Sequence, residues 1–296
     1  MSDELVSGLL KSVDLRFSVA VCTEVARTAT LKHELLSTSS ALLAQALCAG
    51  SLISSLQKED GVVNVQIECD GPLRGLFVDS RARGALRGYV KNPLVEVRSP
   101  SDAFRWRPAL GNSGFLSVLR ELGGGEFYRS SVELTAFDLS GDIEEYFRSS
   151  DQIPTTMQLF AIESASQPLA LVAGWLLQPL PDGDLEVFQA LSGALKGGRG
   201  REVAESLVQA GSASALATAL FPREDMEVLS RYPLEYRCQC SQDRVSQALL
   251  AVGQDELLDM LAKEGKAEVT CHFCGTRYTA SSEDIRALIE LAKKAN

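Results

Sequence analysis

Four of the chain's seven cysteines fall in two tight pairs, Cys238-Gln-Cys240 and Cys271-His-Phe-Cys274, with thirty residues between the pairs. Close thiol pairs joined by a short folded segment are the ligand pattern of a tetrahedral four-thiolate zinc site. The first pair has one intervening residue where a zinc ribbon normally has two, and thiols this close can also oxidise to a disulfide with each other. Zinc keeps cysteines as thiolates at neutral pH, whereas a free thiol with a pKa near ~8.5 is mostly protonated. The thiolate is the form that peroxide or hypochlorous acid attacks, and a partner one or two residues away is a ready resolving thiol. A purely structural zinc site is the plainer reading, and spacing alone leaves both open.

Other chemistry is thin. A zinc enzyme normally keeps three protein ligands and an open position, often with histidine and a carboxylate base. The only histidines are His33 and His272. His272 lies inside the second cysteine pair but finds the four-thiolate shell already complete, and is expected to be an exposed bystander. His33 is expected to be structural. No nucleophile elbow, Ser-His-Asp order or phosphate loop is present. The run Lys196-Gly-Gly-Arg-Gly-Arg201 lacks a leading strand and reads as a mobile loop rather than an anion site. The chain is expected not to be an enzyme, and the catalytic set is empty.

The elements that would position the thiols are well punctuated. Ser241, directly after Cys240, can cap a helix running through Leu250 to a stop at Gly253. A second helix, Asp255–Ala262, stops at Gly265. A short strand from Ala267 leads into the Cys271–Cys274 knuckle, with Gly275 freeing the turn. Ser281 with Asp284 then suits a capping box for a last helix, Ile285–Lys294. Residues 231–296 thus read as a small zinc-binding domain, of a size (about sixty residues) at which a metal is often needed for stability.

Before it, residues 185–230 read as a helical linker. Its faces are mostly Ala, Ser and Gly, over Val203–Ala210 and Ser212–Phe221, with Leu207, Val208, Leu216, Leu220 and Phe221 as the few large anchors. Alanine buries far less apolar surface than leucine, so such helices hold only when docked on something larger. Pro179–Gly183 marks the boundary to residues 1–184. There, 15–30 opens as a first strand, Thr38–Leu56 is a helix interrupted in propensity by Gly50, and Val62–Cys69 alternates as a strand. Gly71–Asp79 and Gly84–Asn92 repeat the pattern Gly-x-Leu-Arg-Gly and suggest adjacent antiparallel strands. Strands over Gly114–Arg120 and Glu126–Leu134, a helix from Asp142 to Phe147 and two strands within 156–177 complete an α+β domain with a largely antiparallel sheet.

Composition narrows the partners. Among 296 residues the net charge is −10, and residues 231–296 hold 9 basic against 10 acidic groups. A nucleic-acid role resting on phosphate neutralisation is therefore disfavoured. No apolar run approaches the roughly twenty residues that span a bilayer, and the acidic start Met1-Ser-Asp-Glu lacks a signal-peptide pattern. Cys22, Cys48 and Cys69 sit singly among apolar neighbours, as small buried residues do in a reducing compartment. A cytoplasmic location is expected.

Several stretches together resemble one family, the redox-regulated heat-shock holdases, also called the 33 kDa chaperonin family. They are Leu86-Arg-Gly-Tyr-Val90, Gly111-Asn-Ser-Gly-Phe-Leu116, Gly141-Asp-Ile-Glu-Glu-Tyr-Phe147, Asp151-Gln-Ile-Pro-Thr155, and Cys238-x-Cys240-Ser241 with Cys271-x-Phe-Cys274. Ser150-Asp151-Gln152 stands where the family pattern has Ser-Glu-Gln, a conservative departure. The resemblance implies that the reduced chain binds one zinc ion through Cys238, Cys240, Cys271 and Cys274 and is inactive. It implies that oxidation pairs Cys238 with Cys240 and Cys271 with Cys274, releases zinc and unfolds the small domain. The linker would then lose its docking, and the exposed apolar surface would bind unfolding client proteins without ATP, as a homodimer. Leu207, Leu216, Leu220 and Phe221 are the linker residues expected to carry the switch. Two rival readings are a constitutive binding module with a structural zinc and a thiol oxidoreductase.

Overall fold

The computed structural model describes residues 2–57, 61–97, 106–123, 125–164, 167–208, 211–222 and 225–295. The chain forms two compact units, Met1–Arg237 and Cys238–Asn296. The fold is α+β, with antiparallel sheets and packed helices, as expected.

The first unit contains strands β1 (Glu4–Leu10), β2 (Leu15–Val21), β3 (Val62–Cys69), β4 (Gly75–Arg81), β5 (Ala85–Val90), β6 (Gly114–Gly123), β7 (Glu126–Glu133), β8 (Thr156–Ser164), β9 (Gln167–Pro179), β10 (Met226–Pro233) and β11 (Glu235–Tyr236). Its helices are α1 (Thr23–His33), α2 (Ser37–Ser54), the single turn α3 (Arg107–Leu110), α4 (Leu139–Tyr146), α5 (Leu185–Ala194), α6 (Gly200–Ser206) and α7 (Ala213–Leu220). One sheet has the order β10-β1-β2-β9-β8, the other β11-β5-β4-β3-β6-β7, with only β11–β5 parallel. The repeat forms the antiparallel neighbours β4 and β5.

Helix α2 lies between the sheets, touching β3, β4 and β5 on one side and β2, β8 and β9 on the other. Every residue but Ser37 is buried. Gly50 does not break it. A Cβ there would lie 2.8 Å from Val78 Cγ1, so the missing side chain lets the helix approach β4. The buried serines bond to carbonyls, Ser39 Oγ donating to Asn92 O and Ser51 Oγ to Cys48 O.

The expected strand over 15–30 ends at Val21, and Thr23–His33 is helix. The start of α1 is capped from a distance: Val25 N donates to Asp3 Oδ2 at 2.7 Å, a contact no local pattern reveals. Burial pushes the Asp3 carboxyl up to about 6 despite these backbone donors. Strands β1 and β10 were not anticipated. They pair with each other along their length, which moves the last boundary from residue 231 to 238, because 226–237 belong to the first unit's sheets.

The helices of 185–220 cover the outer face of the five-stranded sheet. Phe188, Leu195, Leu216, Leu220 and Phe221 form one cluster with Phe17, Val19, Trp175 and Leu177, and the Phe17 and Phe221 rings lie 5.2 Å apart. Leu207 and Val208 are partly buried against it. The last residues of the expected helix Val203–Ala210, 209 and 210, lie outside the described residues. The stretch expected as a mobile loop is instead a π-turn, Leu195–Arg199, leading into α6. Lys196 is drawn onto the core, its Nζ 2.7 Å from Glu144 Oε2.

The second unit holds α8 (Gln242–Ala251), α9 (Gln254–Lys263), the hairpin β12 (Ala267–Thr270) and β13 (Arg277–Ala280), and α10 (Ser282–Ala295). Its core is small: Val245, Leu249, Leu257, Ala267, Ala280, Ile285, Leu288 and Ile289. Both expected caps form. Ser241 accepts from Arg244 N, and Ser281 and Asp284 exchange reciprocal bonds, Ser281 N to Asp284 Oδ2 at 2.8 Å and Asp284 N to Ser281 Oγ at 3.2 Å.

Candidate metal centre

The sulfurs of Cys238, Cys240, Cys271 and Cys274 all lie within 4.8 Å of one another. Cys240 and Cys274 are 3.3 Å apart, and Cys238 and Cys271 3.7 Å. Bonds of about 2.3 Å in a tetrahedron imply sulfur–sulfur edges of about 3.8 Å, so the donor set fits a zinc ion.

Each sulfur is placed by a local device. Cys240 immediately precedes the Ser241 cap of α8. Cys271 directly follows β12, and the chain folds back there: Cys271 N donates to Thr276 O at 2.9 Å, and Gly275 N to Cys271 O at 2.9 Å. Gly275 takes φ 68°, which lets the knuckle close. Hydroxyls then surround the sulfurs. Tyr278 Oη donates to Cys240 Sγ at 3.0 Å, and Thr276 Oγ1 lies 3.2 Å from Cys274 Sγ.

Four thiols this close do not ionise independently. Burial first, then the Cys274 and Cys238 thiols, push Cys271 up to about 12 against its backbone donors. Burial also raises Cys240. Cys274 falls to about 7, because the Thr276 hydroxyl and N–H and the neighbouring sulfurs outweigh its own burial. A bound divalent cation would hold all four as thiolates.

His272 is exposed and outside the four-sulfur group. His33 lies in the first unit, with Nε2 3.2 Å from Tyr236 Oη. Cys22 and Cys48 are buried and Cys69 half-buried, and burial drives the Cys22 thiol well above its ordinary value. The family-like stretches 86–90, 111–116, 141–147 and 151–155 all fall in the first unit, where Asp151 pairs with Arg120 at 2.6 Å. Sequence reasoning missed Tyr278 and Thr276. Their only signal was a hydroxyl two and four residues past the last cysteine.

An antiparallel α+β unit joined to a small four-sulfur unit is an architecture with known relatives. The crystal structure of the 33 kDa chaperonin (heat shock protein 33 homolog) of Thermotoga maritima matches with a TM-score of 0.86 and 26% identity, over 100% of both chains. The 33 kDa chaperonin of Halalkalibacterium halodurans is 32% identical over 99% of this chain and 100% of its own length. That of Geobacter sp. (strain M21) is 32% identical over 99% of both. The family described as Hsp33 protein matches residues 3–281.

The chain belongs to the Hsp33 family. The family and its named members support a chaperone function. Among the described residues, no helix is long and apolar enough to cross a membrane.

Proposed function

We propose that this protein is a redox-regulated, ATP-independent holdase whose four-cysteine unit is the switch. The observation that carries the reading is the convergence of four sulfurs in a unit whose apolar core cluster holds eight buried residues among those described. Zinc, when bound, keeps Cys238, Cys240, Cys271 and Cys274 as thiolates and staples the unit. A core that small supplies little stability of its own, so the staple is on the order of the whole folding free energy, ~10 kcal/mol.

Peroxide or hypochlorous acid removes electrons from these sulfurs, and disulfides Cys238–Cys240 and Cys271–Cys274 form. The close cross-pair contacts, Cys240 with Cys274 and Cys238 with Cys271, belong to the metal-holding arrangement. Loss of the second unit's fold frees the chain that continues backward into β11, β10 and the helices of 185–230, which act as a metastable linker. Undocking exposes Phe188, Leu195, Leu216, Leu220 and Phe221 together with their seat, Phe17, Val19, Trp175 and Leu177. That surface holds unfolding cytoplasmic proteins, and the oxidised form pairs into a homodimer.

The test follows zinc release with a metal-binding dye beside suppression of aggregation of a heat-unfolded protein, before and after peroxide. Joint appearance of both signals, reversed by a thiol reductant, is the expected result. Equal suppression by the reduced, zinc-loaded chain would show the cysteines to be structural only. Peptide mapping of the oxidised chain checks the pairing.

A further inference from the structure

We propose that the Tyr278 hydroxyl sets how readily the four-sulfur centre yields to oxidant, by holding Cys240 through a hydrogen bond. This rests on the reading of that centre as a metal-held redox switch. Tyr278 Oη donates to Cys240 Sγ at 3.0 Å. Its ring packs on the second unit's core, and its place in β13, opposite Val269, is fixed by the hairpin register. The acceptor is fixed too, because Cys240 directly precedes the cap of α8. A donor and acceptor each anchored by separate elements form a pre-organised contact of the kind that tunes metal-bound ligands.

The consequence follows from the chemistry of sulfur oxidation. The Cys240 lone pair forms an S–O bond to peroxide, the O–O bond breaks and hydroxide leaves, so sulfur gives up two electrons and peroxide is reduced. A neighbouring thiolate then displaces a second hydroxide as the S–S bond forms. A hydrogen bond donated to the sulfur draws on the same electron density that the first step needs. Cys240 is thereby slower to react than a bare thiolate. Packing explains the tyrosine ring but not its hydroxyl, since phenylalanine would fill the same space.

Tyr278→Phe is expected to lose zinc to peroxide about tenfold faster than the unaltered chain, the low end of what removal of such a contact costs a metal site. In the cobalt(II)-loaded full-length chain its sulfur-to-metal charge-transfer bands should move to lower energy. Incorporation of 3-fluorotyrosine at 278, a stronger donor on the same ring, should slow release. Unchanged release and unmoved bands in Tyr278→Phe would overturn the proposal alone. Faster release with unmoved bands and a lower unfolding temperature would also overturn it, as packing. An unaltered chain that binds neither metal overturns the switch reading and this proposal together.

Discussion

Helix α2 and helices α5–α7 cover opposite faces of the same five-stranded sheet, and they are held by different means. Along β2, Ala20 faces the cluster around α2, as does Cys22 just after the strand, while Phe17, Val19 and Val21 face the cluster that takes up α5–α7. Helix α2 is buried on all sides by two sheets. Helix α5 buries one residue, Phe188, and α6 buries Gly200 and Ala204. Helix α7 adds Leu216 and Leu220 with two alanines. Opening free energies within one fold range from near zero to the global value, and few large buried contacts place a segment at the low end. The two faces of one sheet therefore separate a deeply buried helix from a thinly anchored cover.

The largest expected effect lies in the second unit, whose core is thinner than either face. Chelating the proposed zinc ion from the reduced, full-length chain should remove on the order of 10 kcal/mol from that unit. Hydrogen exchange should then lose protection across α8–α10, while the cooperative transition of the first unit stays in place. Protection of α8–α10 surviving chelation would show that its eight-residue core suffices.

The two faces are compared directly by Leu43→Ala in α2 and Leu216→Ala in α7. Both residues are fully or almost fully buried, and truncation of either should cost about 2–5 kcal/mol. Leu43→Ala should lower the global urea midpoint. Leu216→Ala should instead raise exchange of residues 185–220 and give measurable holdase activity without oxidant. Equal global losses, with no local opening, would erase the distinction between the faces.

The fixed side has its own soft point at Asp3. Its carboxyl is raised from 3.8 to about 6 because burial outweighs the α1 backbone donors. A raised carboxyl means the folded chain holds the proton more tightly than the unfolded one. Its contribution is full below about pH 4 and is lost as pH rises through about 6, a change of roughly 2–3 kcal/mol for two units. Asp3→Asn, which keeps an acceptor for Val25 N, should flatten the stability profile between pH 4 and 7. A profile unchanged by that substitution would place the titration elsewhere.

How much of this was legible beforehand depended on the range of the interactions. The cysteine pairs, the Ser241 cap and the Ser281–Asp284 box are local patterns, and their elements formed where the residues predicted. Strand β3 followed from alternation within a single segment, and β4 and β5 from the Gly-x-Leu-Arg-Gly repeat. Strand β10 was hidden because its partner β1 lies more than two hundred residues away, whereas the local hairpin of β1 with β2 was overlooked. The start of α1 was misread because its cap, Asp3, lies 22 residues before Val25, outside the reach of a local capping pattern. At the candidate metal centre the four cysteines were visible by spacing, but Tyr278 was not, because its aim at Cys240 depends on the β12–β13 register and on the placement of α8. Phe188 and Leu195 were passed over as anchors because their burial depends on the sheet face beneath them.

Two glycines of the cover give the finest test of the comparison. Gly193, in α5, has nothing within 4 Å of where a Cβ would stand. Gly200, at the start of α6, would place a Cβ 2.4 Å from Gln158 Oε1 and 3.0 Å from both Trp175 Nε1 and Leu195 O. Gln158 and Trp175 face each other across β8 and β9, and both polar atoms are buried without a partner among the described residues. Alanine normally favours a helix over glycine by about 1 kcal/mol. At Gly193 that gain should be realised, lowering exchange of α5 and slowing activation by peroxide. At Gly200 the contact with the sheet reverses the sign. The helix must lift, the two orphaned polar atoms gain water, and their desolvation cost is recovered on opening. Gly200→Ala should therefore raise exchange across 195–206 and activate the chain at lower oxidant dose, with the global midpoint of the first unit little changed. If both substitutions slow activation alike, helix propensity and not the fit of α6 to Trp175 governs the cover.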